Sequence, residues 1–159
     1  MRAFDTSSII HAWDHYPLKQ FPGLWNWLGT EFHGGRFTIS DTVDAETIKR
    51  DADCRAWLHS QGVSIIPTTQ AILTEALKIK ATLGIVTDRD YTTGVRENDI
   101  LIIATCVVDS MELVTNENVQ NDLPKNRRKY KIPAVCAMAG VDVSTMSFRE
   151  LIVQSGKVF

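Results

Sequence analysis

No run in this 159-residue chain is long and uninterrupted enough to read as a bilayer-crossing segment, and "MRAFDTSSII" shows no apolar core ahead of a cleavage site. Both features predict a cytoplasmic protein with no membrane partner. Large excess charge is missing too: the formal net charge is −2, so no global positive field draws the chain to nucleic acid, and any such contact must come from a local patch. Cysteine is scarce. Cys54, Cys106 and Cys136 are odd in number and lack the close pairs of a zinc site, which predicts buried thiols in a reducing compartment. Neither G-x-G-x-x-G nor G-x-x-x-x-G-K-[ST] occurs, which removes the common dinucleotide and P-loop readings. No internal repeat or linker tract divides the chain, so residues 1–159 are expected to form one domain.

What is present is ordinary for a globular fold, with 44% hydrophobic and 23% charged residues. "RAF" reads as a first strand ending at Asp5, with capping hydroxyls at Thr6 to Ser8 and a helix behind them. "LWNWLGTEFHGG" predicts a helix closed by Gly34-Gly35. "RFTIS" predicts a second strand, and Asp41 or Thr42 caps a helix running to about His59, with Val43, Cys54, Trp57 and Leu58 on one face. "VSIIP" predicts a third strand. The next helix carries Ile72, Leu73, Ala76, Leu77 and Leu83 as its apolar positions and stops at Gly84.

The run Ile100 to Val108 is apolar all round, and its length with the small residues Ala104, Thr105 and Cys106 favours a buried helix, capped by Asn98. "MELVTNE" predicts a fourth strand. The tail predicts a short helix, a strand near Val141 to Val143, and a last amphipathic helix. Strands alternating with helices predict an α/β fold, a three-layer α/β/α sandwich around a mainly parallel sheet, which also explains a helix that is apolar on every side.

In an open parallel sheet, the carboxyl ends of the strands and the starts of the succeeding helices share one edge, where ligands bind. Asp5 ends the first strand, Glu46 lies early in the helix after "FTIS", Asp99 opens the apolar helix and Glu117 comes just after "LVTN". Each has a bland use, as a dipole-complementing or turn-forming acid. Four on one edge set a hard divalent cation on an equal footing with those uses, because unneutralised carboxylates repel one another and oxygen donors suit Mg²⁺ or Mn²⁺. Such an ion activates water and stabilises the leaving oxygen of a phosphodiester.

The motifs resemble those of PIN-domain nucleases. "FDTSSII" is similar to the family's first motif, "ISDTVDAET" to its second with Glu46 as the helix glutamate, and "NDILIIATC" to its third with Asp99 at the metal-site position and Cys106 where alanine is usual. "LVTNE" resembles the fourth, with Glu117 in place of the usual Asp. The resemblance runs from Ala3 to about Val143. "PGLWNWL" and "IPAVCAMAGV" look like a PIN-like branch found in toxin and antitoxin gene pairs, of the VapC type.

The resemblance implies a metal-dependent endoribonuclease on a sheet of about five parallel strands. Asp5, Glu46 and Asp99 would be direct or water-mediated ligands of Mg²⁺ or Mn²⁺. Glu117 would assist, and Thr6 and Thr115 would orient water or the scissile phosphate. It further implies a cognate antitoxin and a homodimer. A catalytically silent PIN-like binding module is the alternative. Lys125, Arg127, Arg128, Lys129 and Lys131 form the one dense basic cluster, placed either to guide RNA or simply to solvate a loop. Trp25 and Trp27, two apart on a helix, cannot share one face, which leaves one for a dimer or partner helix unless core packing, the commoner fate of tryptophan, takes both; His11 with His15 at i, i+4 suits a surface or interface role. A phosphatase of the haloacid dehalogenase type needs a second Asp two residues after Asp5, where Ser7 stands.

Overall fold

Each strand of this protein is only two to four residues long, so the helices and caps at the strand ends hold the sheet as much as the ladder itself does. The computed structural model describes residues 1–159. The strands are β1 (Arg2–Phe4), β2 (Phe37–Ser40), β3 (Ser64–Ile66), β4 (Glu112–Val114) and β5 (Thr145–Met146), in the order β3-β2-β1-β4-β5, and every neighbouring pair is parallel. Eight helices flank this sheet: α1 (Thr6–His15), α2 (Pro22–His33), α3 (Asp41–Arg50), α4 (Ala52–Ser60), α5 (Gln70–Leu83), α6 (Glu97–Val108), α7 (Ile132–Cys136) and α8 (Phe148–Ser155). The fold is thus α/β, consistent with a three-layer α/β/α sandwich. The order reverses beside β1, since the chain builds β2 and β3 on one side of it and then crosses to β4 on the other. Ligands of such sheets bind at that switch point, beyond the carboxyl ends of the strands.

Capping side chains define where strand gives way to helix. Asp5 itself caps α1, accepting the Ser8 amide at 2.7 Å, where the sequence pointed to the hydroxyls after it. Ser40 caps α3, ahead of the expected Asp41 or Thr42. Asp41 instead reaches Thr68, accepting its amide and its hydroxyl, both at 2.7 Å, and so ties the start of α3 to the segment after β3. The helix expected to run unbroken to His59 is two helices. Asp51, extended at φ −155° and ψ 108°, ends α3 and accepts the Cys54 amide to start α4. Two hydrogen bonds from Arg55 to Asp44, of 2.9 and 2.7 Å, clasp the two helices together. Val43 on α3 and Cys54 and Leu58 on α4 are buried nonetheless.

Thirty-five buried apolar residues form one continuous cluster on both faces of the sheet. Helix α6 supplies Ile100, Ile102, Ile103, Ala104 and Cys106, packed against α5, α7 and β4, which is why its sequence has no polar face. On α5, Ile72, Ala76, Ile79 and Leu83 are buried, whereas Leu73 and Leu77 are 42% and 64% exposed. The inward stripe is narrower than the apolar pattern suggests. The strand expected near Val141 to Val143 lies at Thr145–Met146; Val141 and Val143 are core residues of the turn before it.

Trp25 is buried, its ring edge-on to both Trp13 and Trp57. Trp27 rests on Phe37 and Phe159 and donates its indole N–H to Glu31 at 3.1 Å. Intramolecular packing therefore engages both tryptophans, in line with the core reading and not with a partner role for one of them. His11 and His15 stack on each other with centroids 4.2 Å apart, and His11 also meets Tyr16 and Phe148 edge-on. All three cysteines are buried free thiols, and burial pushes Cys54 and Cys106 up to about 12. No helix is long and apolar enough to cross a membrane.

Candidate functional site

At the switch point, β1 and β4 pair with Phe4 beside Val114, so the next residues, Asp5 and Thr115, emerge side by side. Asp5 is only 2% exposed, an extreme position for a carboxylate. Its oxygens are surrounded by donors. Oδ1 accepts the Ser8 amide at 2.7 Å, Oδ2 accepts the Thr115 hydroxyl at 2.7 Å, and the Ser7 hydroxyl lies 2.8 Å from Oδ2 and 3.0 Å from Oδ1. The Ser7 oxygen in turn accepts the Asn116 amide at 3.0 Å, closing a bridge between the two strand ends. Burial nevertheless outweighs these donors and raises the Asp5 pKa above the ordinary carboxylate value.

Beyond Asp5 opens a cleft of about 480 Å³, and Glu46, Asp99 and Glu117 line it together with Asp5 and Thr6. Four elements of distant sequence thus deliver one acid each to a shared cavity. Glu46 comes from the second turn of α3; Thr6 donates its hydroxyl to Oε2, and Asn98 donates its amide N–H to Oε1 at 2.7 Å. Asp99 is the third residue of α6 and accepts the Arg96 amide at 2.7 Å, so the acid itself caps the helix. Asn98, the expected cap, serves Glu46 instead. Glu117 lies beyond β4 and accepts the Ile132 amide at 2.8 Å at the start of α7.

Asp99 carries the electrostatic record of this convergence. Burial chiefly, then the charges of Glu117, Glu46 and Asp5, raise its pKa to about 6, against the lowering pull of the Arg96 amide. Carboxylates that perturb one another this way form a site of negative potential with an appetite for a cation. No three acidic, histidine or cysteine side chains close on a single point as a ready-made cage. The donor set nonetheless fits Mg²⁺ or Mn²⁺: it is all oxygen, and Mg²⁺ keeps several waters and takes one or two carboxylates rather than a full protein shell.

Thr115 differs from its expected role. It is 2% exposed and its hydroxyl is committed to Asp5, so it positions that carboxylate and does not face the cleft to hold water or phosphate. Thr6 does line the cleft, with its hydroxyl directed at Glu46. None of the five basic residues from Lys125 to Lys131 lines the acidic cleft. Two other cations do: Lys49 and Arg50, in the last turn of α3, one helical turn from Glu46. The motifs in the sequence do not single them out, and they mark Ser7 and Asn98 as capping residues only. The i, i+3 and i, i+4 spacing from Glu46 places Lys49 and Arg50 near the glutamate, and that is the one signal the sequence holds for them.

The basic segment is firmly held. Its 3₁₀ turn spans Arg127–Lys129. Gln120 donates to the Lys129 carbonyl at 3.1 Å and accepts the Lys131 amide at 2.7 Å. Arg128 pairs with Asp90 at 2.7 Å, Thr92 donates to the Arg128 carbonyl at 2.7 Å, and the Val95 amide donates to the Tyr130 carbonyl at 2.9 Å. Gly94 makes this approach possible: a Cβ there would stand 2.4 Å from the Arg128 carbonyl oxygen and 2.5 Å from that of Tyr130.

No curated protein matches the chain. A family model described as "Domain of unknown function (DUF4411)" matches residues 3–159, from β1 past the last helix and including all four acids. The chain therefore belongs to the DUF4411 family.

Proposed function

We propose that this protein is a metal-dependent endoribonuclease of the PIN type, hydrolysing RNA phosphodiesters at the cleft lined by Asp5, Glu46, Asp99 and Glu117. The observation that carries this reading is the delivery of four carboxylates, from four separate elements, to one cavity at the switch point of a parallel sheet. The PIN-like motif order in the sequence supports it. A divalent ion held there supplies an activated water and charge stabilisation for the departing oxygen.

The chain's own residues divide the remaining work. Asp5 is fixed by three donors and Asp99 by its place in a core helix, so both present rigid oxygens. Glu46 is oriented by Thr6 and Asn98. Glu117, held through one oxygen by the Ile132 amide, keeps the other for the cleft. Lys49 and Arg50 offer positive charge to the phosphates flanking the scissile bond, which a purely acidic cleft would repel. On this reading the protein is the toxin of a toxin–antitoxin pair in the cytoplasm, with an antitoxin protein and a second copy of itself as partners.

The test is cleavage of end-labelled single-stranded RNA with Mn²⁺ or Mg²⁺, with and without chelator. Asp5→Asn and Asp99→Asn proteins, shown to be folded by circular dichroism, should lose the activity. Equal cleavage by wild type and variants would identify a contaminant and remove the assignment. A clean preparation that cleaves no RNA under any metal would favour a silent binding module.

A further inference from the structure

A second cavity, about 470 Å³ and mostly apolar, lies on the far side of the segment that closes the acidic cleft. Ile132 lines the cleft, while Tyr130 and Pro133 line this groove, so residues 130–133 form a wall common to both. Val119, Leu123, Ala137 and Met138 complete its apolar surface, and Val119 and Leu123 are 69% and 56% exposed. Its rim is cationic. Arg127 lines it, and Lys125, Arg127 and Lys129 are exposed with no acidic partner, unlike Arg128, which is bound to Asp90.

We infer that this groove is a nucleobase subsite, which takes an unpaired base of single-stranded RNA while the neighbouring cations hold the backbone running on to the acidic cleft. The inference rests on the endoribonuclease reading and names its substrate class. Three observations favour this occupant. The cations without an acidic partner suit a polyanion, which an apolar peptide does not supply. An apolar floor beside a tyrosine ring suits the face of an unstacked base, and single-strand readers combine aromatic platforms with positive rims in this way. Only one stretch of chain, residues 130–133, divides the groove from the cleft, and Gln120 clamps it on both sides of Tyr130, so a strand crossing that wall reaches both. Double-stranded RNA keeps its bases stacked and cannot fill the groove.

The test separates binding from cleavage. Fluorescence anisotropy in chelator would compare a single-stranded RNA 12-mer with the same strand in a duplex, on the full chain and on Ala137→Trp and Tyr130→Ala proteins. Ala137 is exposed, lies outside the core and lines the groove, so a tryptophan there is expected to fill the groove from the surface. We expect at least tenfold tighter binding of the single strand by wild type, and a loss of tenfold or more in Ala137→Trp. Tyr130→Ala should weaken binding in the same direction, and abasic substitution along the strand should do so at one or two positions only. Single-strand affinity unchanged in a folded Ala137→Trp protein would overturn the subsite, whether the groove then proved to hold a peptide or a second copy of the chain. Absence of cleavage by a protein that binds single strands through the groove would overturn the nuclease reading and leave the subsite standing.

Discussion

Thr115 donates a 2.7 Å hydrogen bond to Asp5 across the seam between β4 and β1, joining residues 110 positions apart at the ends of two paired strands. The bond favours the charged form of a carboxylate whose pKa burial nevertheless raises. It fixes the position of a carboxylate whose burial, not this bond, costs native-state stability.

That balance predicts a double-mutant result. Thr115→Val removes a donor from a buried acid and should destabilise the protein by about 1–3 kcal/mol, measured by urea unfolding. Asp5→Asn keeps the shape without the charge, so it should leave metal-free stability unchanged or raised. In the Asp5→Asn background the cost of Thr115→Val should shrink, giving a coupling energy of about 0.5 kcal/mol or more. Additive effects would mean the hydroxyl does not act through the carboxylate.

Asp99 predicts opposite pH responses for stability and metal binding. Its folded pKa of about 6 lies above the ordinary 3.8, so its contribution to stability is complete below about 3.8 and disappears as pH rises through 6. The metal-free protein should therefore lose roughly 1–3 kcal/mol between pH 4 and 7 from this group, a slope that Asp99→Asn removes. Mn²⁺ affinity should run the other way and weaken below pH 6, where the proton competes for the carboxylate. Calorimetric titration at pH 5.5 and 7.5 checks it; equal affinities would place Asp99 outside the ion's shell.

Asn98 predicts a supporting role without metal contact. Alanine at this position frees Glu46 Oε1 and should weaken Mn²⁺ binding about tenfold to a hundredfold, the range for loss of a ligand-orienting partner. Melting temperature should change little, since Asn98 is half-buried and outside the core. A wild-type dissociation constant in a folded Asn98→Ala protein would show that Glu46 needs no orienting.

Gly94 predicts a defect at a distance. A methyl group there meets two backbone carbonyls, so Gly94→Ala should cost about 1–3 kcal/mol in unfolding experiments and displace the basic turn. Single-stranded RNA affinity should fall with it while Mn²⁺ affinity stays near wild type, because none of the four acids touches the turn. Unaltered stability would mean that the turn yields freely.

Much of this architecture is legible because short-range chemistry carries it. Asp5, Ser40 and Thr69 cap their helices with the side chains that favour that position, and Gly84 ends α5 in the left-handed conformation at φ 74°. The errors fall where local signals are degenerate. Asp51 is an ordinary residue in a helical pattern until Arg55 bends back to Asp44, and the outward Leu73 and Leu77 look like core because periodicity cannot reveal the width of a buried stripe. Thr115 stands out in the sequence as a site residue, but its inward direction comes from the pairing of β4 with β1.

The sequence by itself determined the elements, the parallel sheet and the four acids that belong at its carboxyl edge, because strand ends and helix starts are written in contiguous residues. Only the tertiary structure decided that these acids share one cavity, that Lys49 and Arg50 join them, and that a basic turn pinned by Gly94 borders a separate apolar groove. Those facts depend on contacts between residues tens of positions apart, and such contacts exist only once the core has fixed every element against its neighbours.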